Sequence, residues 1–141
     1  MWTEIDEGMT RILIVDDDPD IRVLLRSILE SSGYHCDEAW NGLDGLEKTE
    51  TEVYALILLD YSMPVMNGLE VIQKLAQKSW SSRPQVIMMT AHRDEAIRSQ
   101  ALDTGATAVL SKPFDLDHVL LTIGQALKNG YPSSRCYHRA S

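Results

Sequence analysis

Residues 12–20 read ILIVDDDPD, and this short run constrains the reading of the whole chain. Ile12, Leu13, Ile14 and Val15 form an unbroken aliphatic run, as suits a strand covered on both faces. Asp16, Asp17 and Asp18 follow at once, although neighbouring carboxylates repel one another. Asp18 suits the N-cap of a helix and Pro19 its first helical position. A buried strand passing through an acidic turn into a helix is the repeating unit of an α/β domain.

The same alternation recurs along the rest of the chain. RILIV (11–15), HCDEA (35–39), ALILL (55–59), QVIMM (85–89) and TAVL (107–110) read as strands. The second is the most polar and belongs at a sheet edge. Ile21, Leu24, Leu25, Ile28 and Leu29 follow helical spacing, with Gly33 where a helix should stop. Leu116, Val119, Leu120, Ile123 and Leu127 repeat that pattern, with Asp115 as a candidate cap. Weaker helical patterns cover 42–50, 68–77 and 93–104. Strict β-α alternation predicts a parallel sheet with helices on both faces. Residues 1–9 read as an N-terminal extension, and 130–141 as a mobile C-terminal tail too short for a second domain.

Composition narrows the functional classes. The chain has 141 residues, 44% of them hydrophobic, enough for one domain with a sizeable core. Acidic residues outnumber basic ones 21 to 13, for a net charge of -8. That balance argues against direct nucleic-acid binding, which needs clustered Lys and Arg. YALILL (54–59) is too short for membrane insertion, and MWTEIDEGMT lacks the pattern of a secretory signal. Cys36 and Cys136 have neither metal spacing nor the look of a disulfide scaffold. A cytoplasmic location is the expectation.

In a parallel sheet all carboxyl ends of the strands share one edge, where ligands bind. Asp16 and Asp17 follow the first strand, Asp60 the third, Thr90 the fourth and Lys112 the fifth. Clustered carboxylates call for a hard cation, and Mg2+ takes oxygen ligands while keeping several waters. A carboxylate can also be a nucleophile, forming an aspartyl phosphate. Asp60 is the candidate nucleophile, because Asp16 and Asp17 form the acidic pair suited to the metal. Lys112 supplies a charge for phosphoryl oxygens and Thr90 a hydroxyl donor.

ILIVDDD, LLDYSMPVMNG (58–68), MMTAH (88–92) and LSKPF (110–114) together resemble the signature of response-regulator receiver domains. The resemblance covers roughly residues 10–128, with the motifs in order; residues 10–129 are taken as the domain. It implies a flavodoxin-like (βα)5 doubly wound sheet with strand order 2-1-3-4-5. It further implies that Asp60 is the phosphoacceptor in a two-component or phosphorelay system. Asp17 and Asp60 would ligate Mg2+ by side chain, Ser62 by its backbone carbonyl and Asp16 through a water. Thr90 and Lys112 would contact the phosphoryl group, and a cis Lys112–Pro113 bond is implied. The expected partners are a sensor histidine kinase or histidine phosphotransfer protein, and a downstream protein. Such a domain is not an enzyme in the usual sense, since it catalyses only its own phosphorylation and dephosphorylation.

Other readings compete. Asp18 and Asp20 are adequately explained as helix caps and first-turn dipole partners. Asp16, Asp18 and Asp20 begin an EF-hand pattern, but Ile21 stands in place of the turn glycine and Ser27 of the final glutamate. A haloacid-dehalogenase-type phosphatase also has a strand ending in Asp-x-Asp, and would make Asp16 the nucleophile. A receiver-like scaffold that works without phosphorylation is the third reading. Met63, Met66, Met88 and Met89 read as packing. His35, His118 and His138 read as surface residues, and His92 reads equally as part of the site's rim or as an ordinary surface histidine. Val109 occupies a position that is commonly aromatic in receivers. Nothing outside residues 10–129 is long enough to be an output module.

Overall fold

The computed structural model describes residues 10–91 and 93–129. The proposed extensions 1–9 and 130–141, with Cys136 and His138, lie outside the described residues, as does His92. Among the described residues, five strands alternate with five helices: β1 (Thr10–Val15), α1 (Pro19–Ser31), β2 (Tyr34–Ala39), α2 (Gly42–Thr51), β3 (Leu56–Asp60), α3 (Gly68–Ala76), β4 (Gln85–Thr90), α4 (Glu95–Thr104), β5 (Ala108–Ser111) and α5 (Leu116–Asn129). All strand pairs are parallel, and the sheet runs β2-β1-β3-β4-β5. The fold is flavodoxin-like, as the resemblance implied, and the polar β2 does lie at an edge.

The apolar strands are buried because helices cover both sides. Alternate residues point to opposite faces of a strand. Ile12, Ile14, Leu56, Leu58, Ile87 and Met89 therefore meet Leu25 and Leu29 of α1 and Val119 and Ile123 of α5. Leu13, Val15, Ile57, Leu59, Val86 and Met88 meet Leu46 of α2, Val71, Ile72 and Leu75 of α3 and Ala101 of α4. Each fully buried aliphatic side chain contributes roughly 1.5–3 kcal/mol of transfer free energy before entropy is charged against it.

Local signals set the helix ends. The Asp18 carboxylate accepts the Asp20 N–H at 2.9 Å and caps α1, which Pro19 begins. Gly33 takes φ +98° just beyond that helix, a conformation that favours glycine. Asn67 and Glu70 form a reciprocal capping box at α3. Asp115 accepts the Asp117 N–H at 2.9 Å before α5. α4 begins at Glu95 rather than 93, because the Asp94 carboxylate accepts the Ala96 N–H and stops the helix there. β3 and β4 each extend one residue beyond the apolar run, so Asp60 and Thr90 are strand residues.

Candidate functional site

The strand ends bring the expected residues to one edge of the sheet. Asp16 is fully buried immediately after β1, and its N–H is fixed to the Ala39 carbonyl of β2 at 3.1 Å. One carboxylate oxygen, Oδ1, accepts the Asp18 N–H at 2.9 Å, and Oδ2 accepts from Lys112 Nζ at 3.2 Å. Asp60, 3% exposed at the end of β3, accepts from the same Nζ at 3.0 Å. Asp17 is solvent-exposed. Asp16, Asp17 and Asp60 each place a carboxylate oxygen within 4.8 Å of the others. Charges separated by some fifty to a hundred residues in the chain have become neighbours.

Lys112 is held by more than its charge. Its N–H donates to the Thr90 carbonyl at 2.8 Å, and its peptide bond to Pro113 is cis. Thr90 ends β4 and is 3% exposed. Ser62 lies two residues past Asp60 in the exposed start of the β3–α3 loop. Its suggested ligand role, through the backbone carbonyl, rests on sequence position.

Burial pushes the Asp60 carboxyl above the ordinary aspartate range. The Lys112 hydrogen bond opposes that shift, while Asp16 and Asp17 add to it as like charges. Lys112 is shifted upward too. Burial, its largest single influence, works downward, but Asp60 and Asp16 together outweigh it and keep the ammonium charged. One lysine thus sits between two buried carboxylates that it cannot fully compensate, while the third remains open to water. This donor set suits a hard divalent cation: oxygen-only and anionic, with one side accessible to solvent.

Two residues that sequence reasoning did not assign also shape the site. The Arg22 Nη1 donates to the Asp16 backbone carbonyl at 2.7 Å. No periodic signal pairs residues six apart, so this contact leaves no trace in the pattern. Gly68 packs against the end of β3: an added Cβ would lie 2.8 Å from the Asp60 carbonyl oxygen and 2.9 Å from the Tyr61 Cα. Glycine in the first turn of a helix, where alanine would be favoured, was the available signal.

Other readings resolve quietly. Met63, Met88 and Met89 are buried in the cores, and Met66 packs against one of them. Cys36 is buried within β2, and burial pushes its thiol up to about 12, which leaves it unreactive at neutral pH. His118 is exposed, and His35 stands 3.9 Å from Asp37 on the partly exposed edge strand, away from the carboxylate cluster.

The response regulator receiver domain family matches residues 12–124. The chain belongs to that family. This receiver is 38% identical over 120 residues to the response regulator ArlR of Staphylococcus aureus, across 85% of this chain and 53% of that protein. It therefore spans about half the length of the curated relatives it matches. The chemotaxis protein CheY4 of Vibrio cholerae has a similar structure, with TM-score 0.79 and 29% identity over 84% of this receiver and 98% of that chain. The response regulator TrrA of Thermotoga maritima, solved in complex with Mg(2+)-BeF, gives TM-score 0.74 and 34% identity over 84% and 99% of the respective chains. Family membership replaces the dehalogenase-type reading of the aspartate run. Among the described residues, no helix is long and apolar enough to cross a membrane.

Proposed function

We propose that this receiver takes a phosphoryl group onto Asp60 from a phosphohistidine on a sensor histidine kinase or phosphotransfer protein, and that the modification alters its affinity for a downstream protein. The observation that carries the reading is the convergence of Asp16, Asp17 and Asp60 within 4.8 Å, with Lys112 bonded to two of them. Asp17 and Asp60 would hold Mg2+ by side chain and Ser62 by its carbonyl, with Asp16 one water removed. When bound, the ion supplies positive charge that offsets both the carboxylates and the incoming phosphoryl group.

The protein's own groups do the rest. An Asp60 carboxylate oxygen attacks phosphorus; the bond to the imidazole nitrogen breaks, and the imidazole keeps the electron pair and takes up a proton. Lys112 favours the ionised, nucleophilic form of Asp60 and then donates to a phosphoryl oxygen. The Thr90 hydroxyl donates to another. Burial of Asp16 and Asp60 keeps these interactions in a low-dielectric setting, where preorganised donors count most. The TrrA complex with Mg(2+)-BeF supports the same chemistry by relationship. Residues 10–129 are the receiver in this reading, with 1–9 and 130–141 as flanking extensions, and a cytoplasmic location follows from a kinase partner.

The test is direct. Incubation with Mg2+ and a small acyl-phosphate donor should add the mass of one phosphoryl group, and a chelator should prevent it. Asp60→Asn should remove the added mass while preserving the circular-dichroism spectrum. Persistent labelling of Asp60→Asn, with loss in Asp16→Asn, would move the nucleophile to Asp16 and overturn the proposal.

A further inference from the structure

The carboxylate Asp17 is the open side of the cluster, and no hydrogen bond to it is present among the described residues. Its direction must therefore come from its backbone. The peptide that joins it to Asp16 carries the Asp16 carbonyl, and that carbonyl accepts the 2.7 Å bond from Arg22 Nη1. Arg22 lies in the early part of α1 with its side chain 15% exposed. Its Nε donates to Glu38 Oε1 of β2 at 2.9 Å. Glu38 is gripped in turn by Arg26 Nη1 at 3.1 Å, and Arg26 Nε bonds Glu30 at 3.1 Å. A chain of charged groups thus runs from the solvent side of α1, across the edge strand, to the peptide between the two acidic residues.

We propose that Arg22 is a positioning residue for the divalent-cation site, clamping the Asp16–Asp17 peptide from behind so that Asp17 faces Asp60. This rests on the reading of the site given under the proposed function. Two features favour a geometric role over a purely electrostatic one. The guanidinium is a rigid fork, and its two donors reach acceptors on different elements, which a lysine ammonium cannot reproduce with the same geometry. The carboxyl of Glu38 is held below the ordinary glutamate range: burial, the largest single influence, acts upward, but Arg26 and Arg22 outweigh it. An ionised Glu38 keeps the fork oriented at neutral pH.

The sign of the effect separates the two roles. Acting only as a nearby positive charge, Arg22 would oppose cation binding, and its removal would tighten it. Acting as a clamp, its removal weakens binding. Groups that orient metal ligands typically govern about 10–100-fold in affinity. Isothermal titration of the full chain with Mg2+ should give a dissociation constant about 10-fold weaker for Arg22→Met than for the wild type. Arg22→Lys, which keeps the charge but not the fork, should fall between them. Thermal melts by circular dichroism establish that each titrated protein is folded; if Arg22→Met does not fold, Arg22→Lys decides. Binding by Arg22→Met as tight as wild type, or tighter, would overturn the clamp, as would Arg22→Lys identical to wild type. A wild-type protein that takes up no Mg2+ would instead remove the metal reading itself, and this proposal with it.

Discussion

Asp60 carries an electrostatic cost at the position of its proposed function. Its pKa is raised, so the folded state holds the Asp60 proton more tightly than the unfolded chain does. Stability from this group accordingly falls as pH rises through the folded pKa, and the penalty persists at neutral pH. Asp60→Asn removes the ionisable group and should stabilise the metal-free protein at pH 7. That advantage should shrink as pH falls through the raised Asp60 pKa and vanish below the ordinary aspartate range. Urea unfolding of both proteins in chelator, from neutral pH downward, measures the difference. A constant advantage at every pH would mean that ionisation of Asp60 is not its source. The residues of this site were legible because their chemistry is unusual: acids where an apolar strand ends, and a lysine before proline. Arg22 was not legible, since the group that ties it to the site is a backbone carbonyl, and every residue has one.

At the scale of elements, the strand ends position the chemistry and the helices constrain the strand ends. α3 begins against β3, because Gly68 lets its first turn approach the Asp60 carbonyl. In an exposed helix interior, glycine to alanine would stabilise by about 1 kcal/mol. Here the added Cβ meets backbone, which cannot rotate away, so Gly68→Ala should destabilise by about 1–3 kcal/mol, as read by urea unfolding. It should also slow phosphorylation, because Asp60 moves when the contact is relieved. β4 and β5 offer a second comparison. Val109 is almost buried, and its carbonyl accepts from Arg98 Nη1 at 3.2 Å. The branched, short side chain has few rotamers with which to respond to a phosphoryl group. Val109→Ala should cost about 1–2 kcal/mol through a cavity yet preserve the phosphorylation-dependent change in partner affinity. Thr90→Ala should still be phosphorylated but lose most of that change, because in the proposed mechanism its hydroxyl links the phosphoryl group to the following loop. Partner affinities measured with and without phosphorylation compare the two, and equal uncoupling would make Val109 an active relay. The elements themselves were readable from hydrophobic runs and caps. Their ends were less so: Asp60 and Thr90 are polar residues that the sheet ladder recruits only once the neighbouring strands are paired.

For the molecule as a whole, the sheet divides two cores. The α1 and α5 core and the α2, α3 and α4 core meet opposite faces of the same strands. The sequence announced such a division through aliphatic strands too apolar for a one-sided sheet, but not which helices lie together, since that depends on strand order. Ile72 and Ile123 are both fully buried, one on each side. Each Ile→Val change should cost about 1 kcal/mol, and the double variant should match the sum within about 0.5 kcal/mol. A coupling well beyond that, in denaturant titrations of all four proteins, would mean that the sheet transmits strain between its faces. With such insulation, either set of helices can accumulate substitutions without compensating changes across the sheet. The carboxyl edge, anchored in strands and touched by few helix residues such as Arg22 and Gly68, would then stay constant while the outer surfaces diverge. If the edge takes a phosphoryl group as proposed, one site is in this way refitted over evolutionary time to new kinases and new targets.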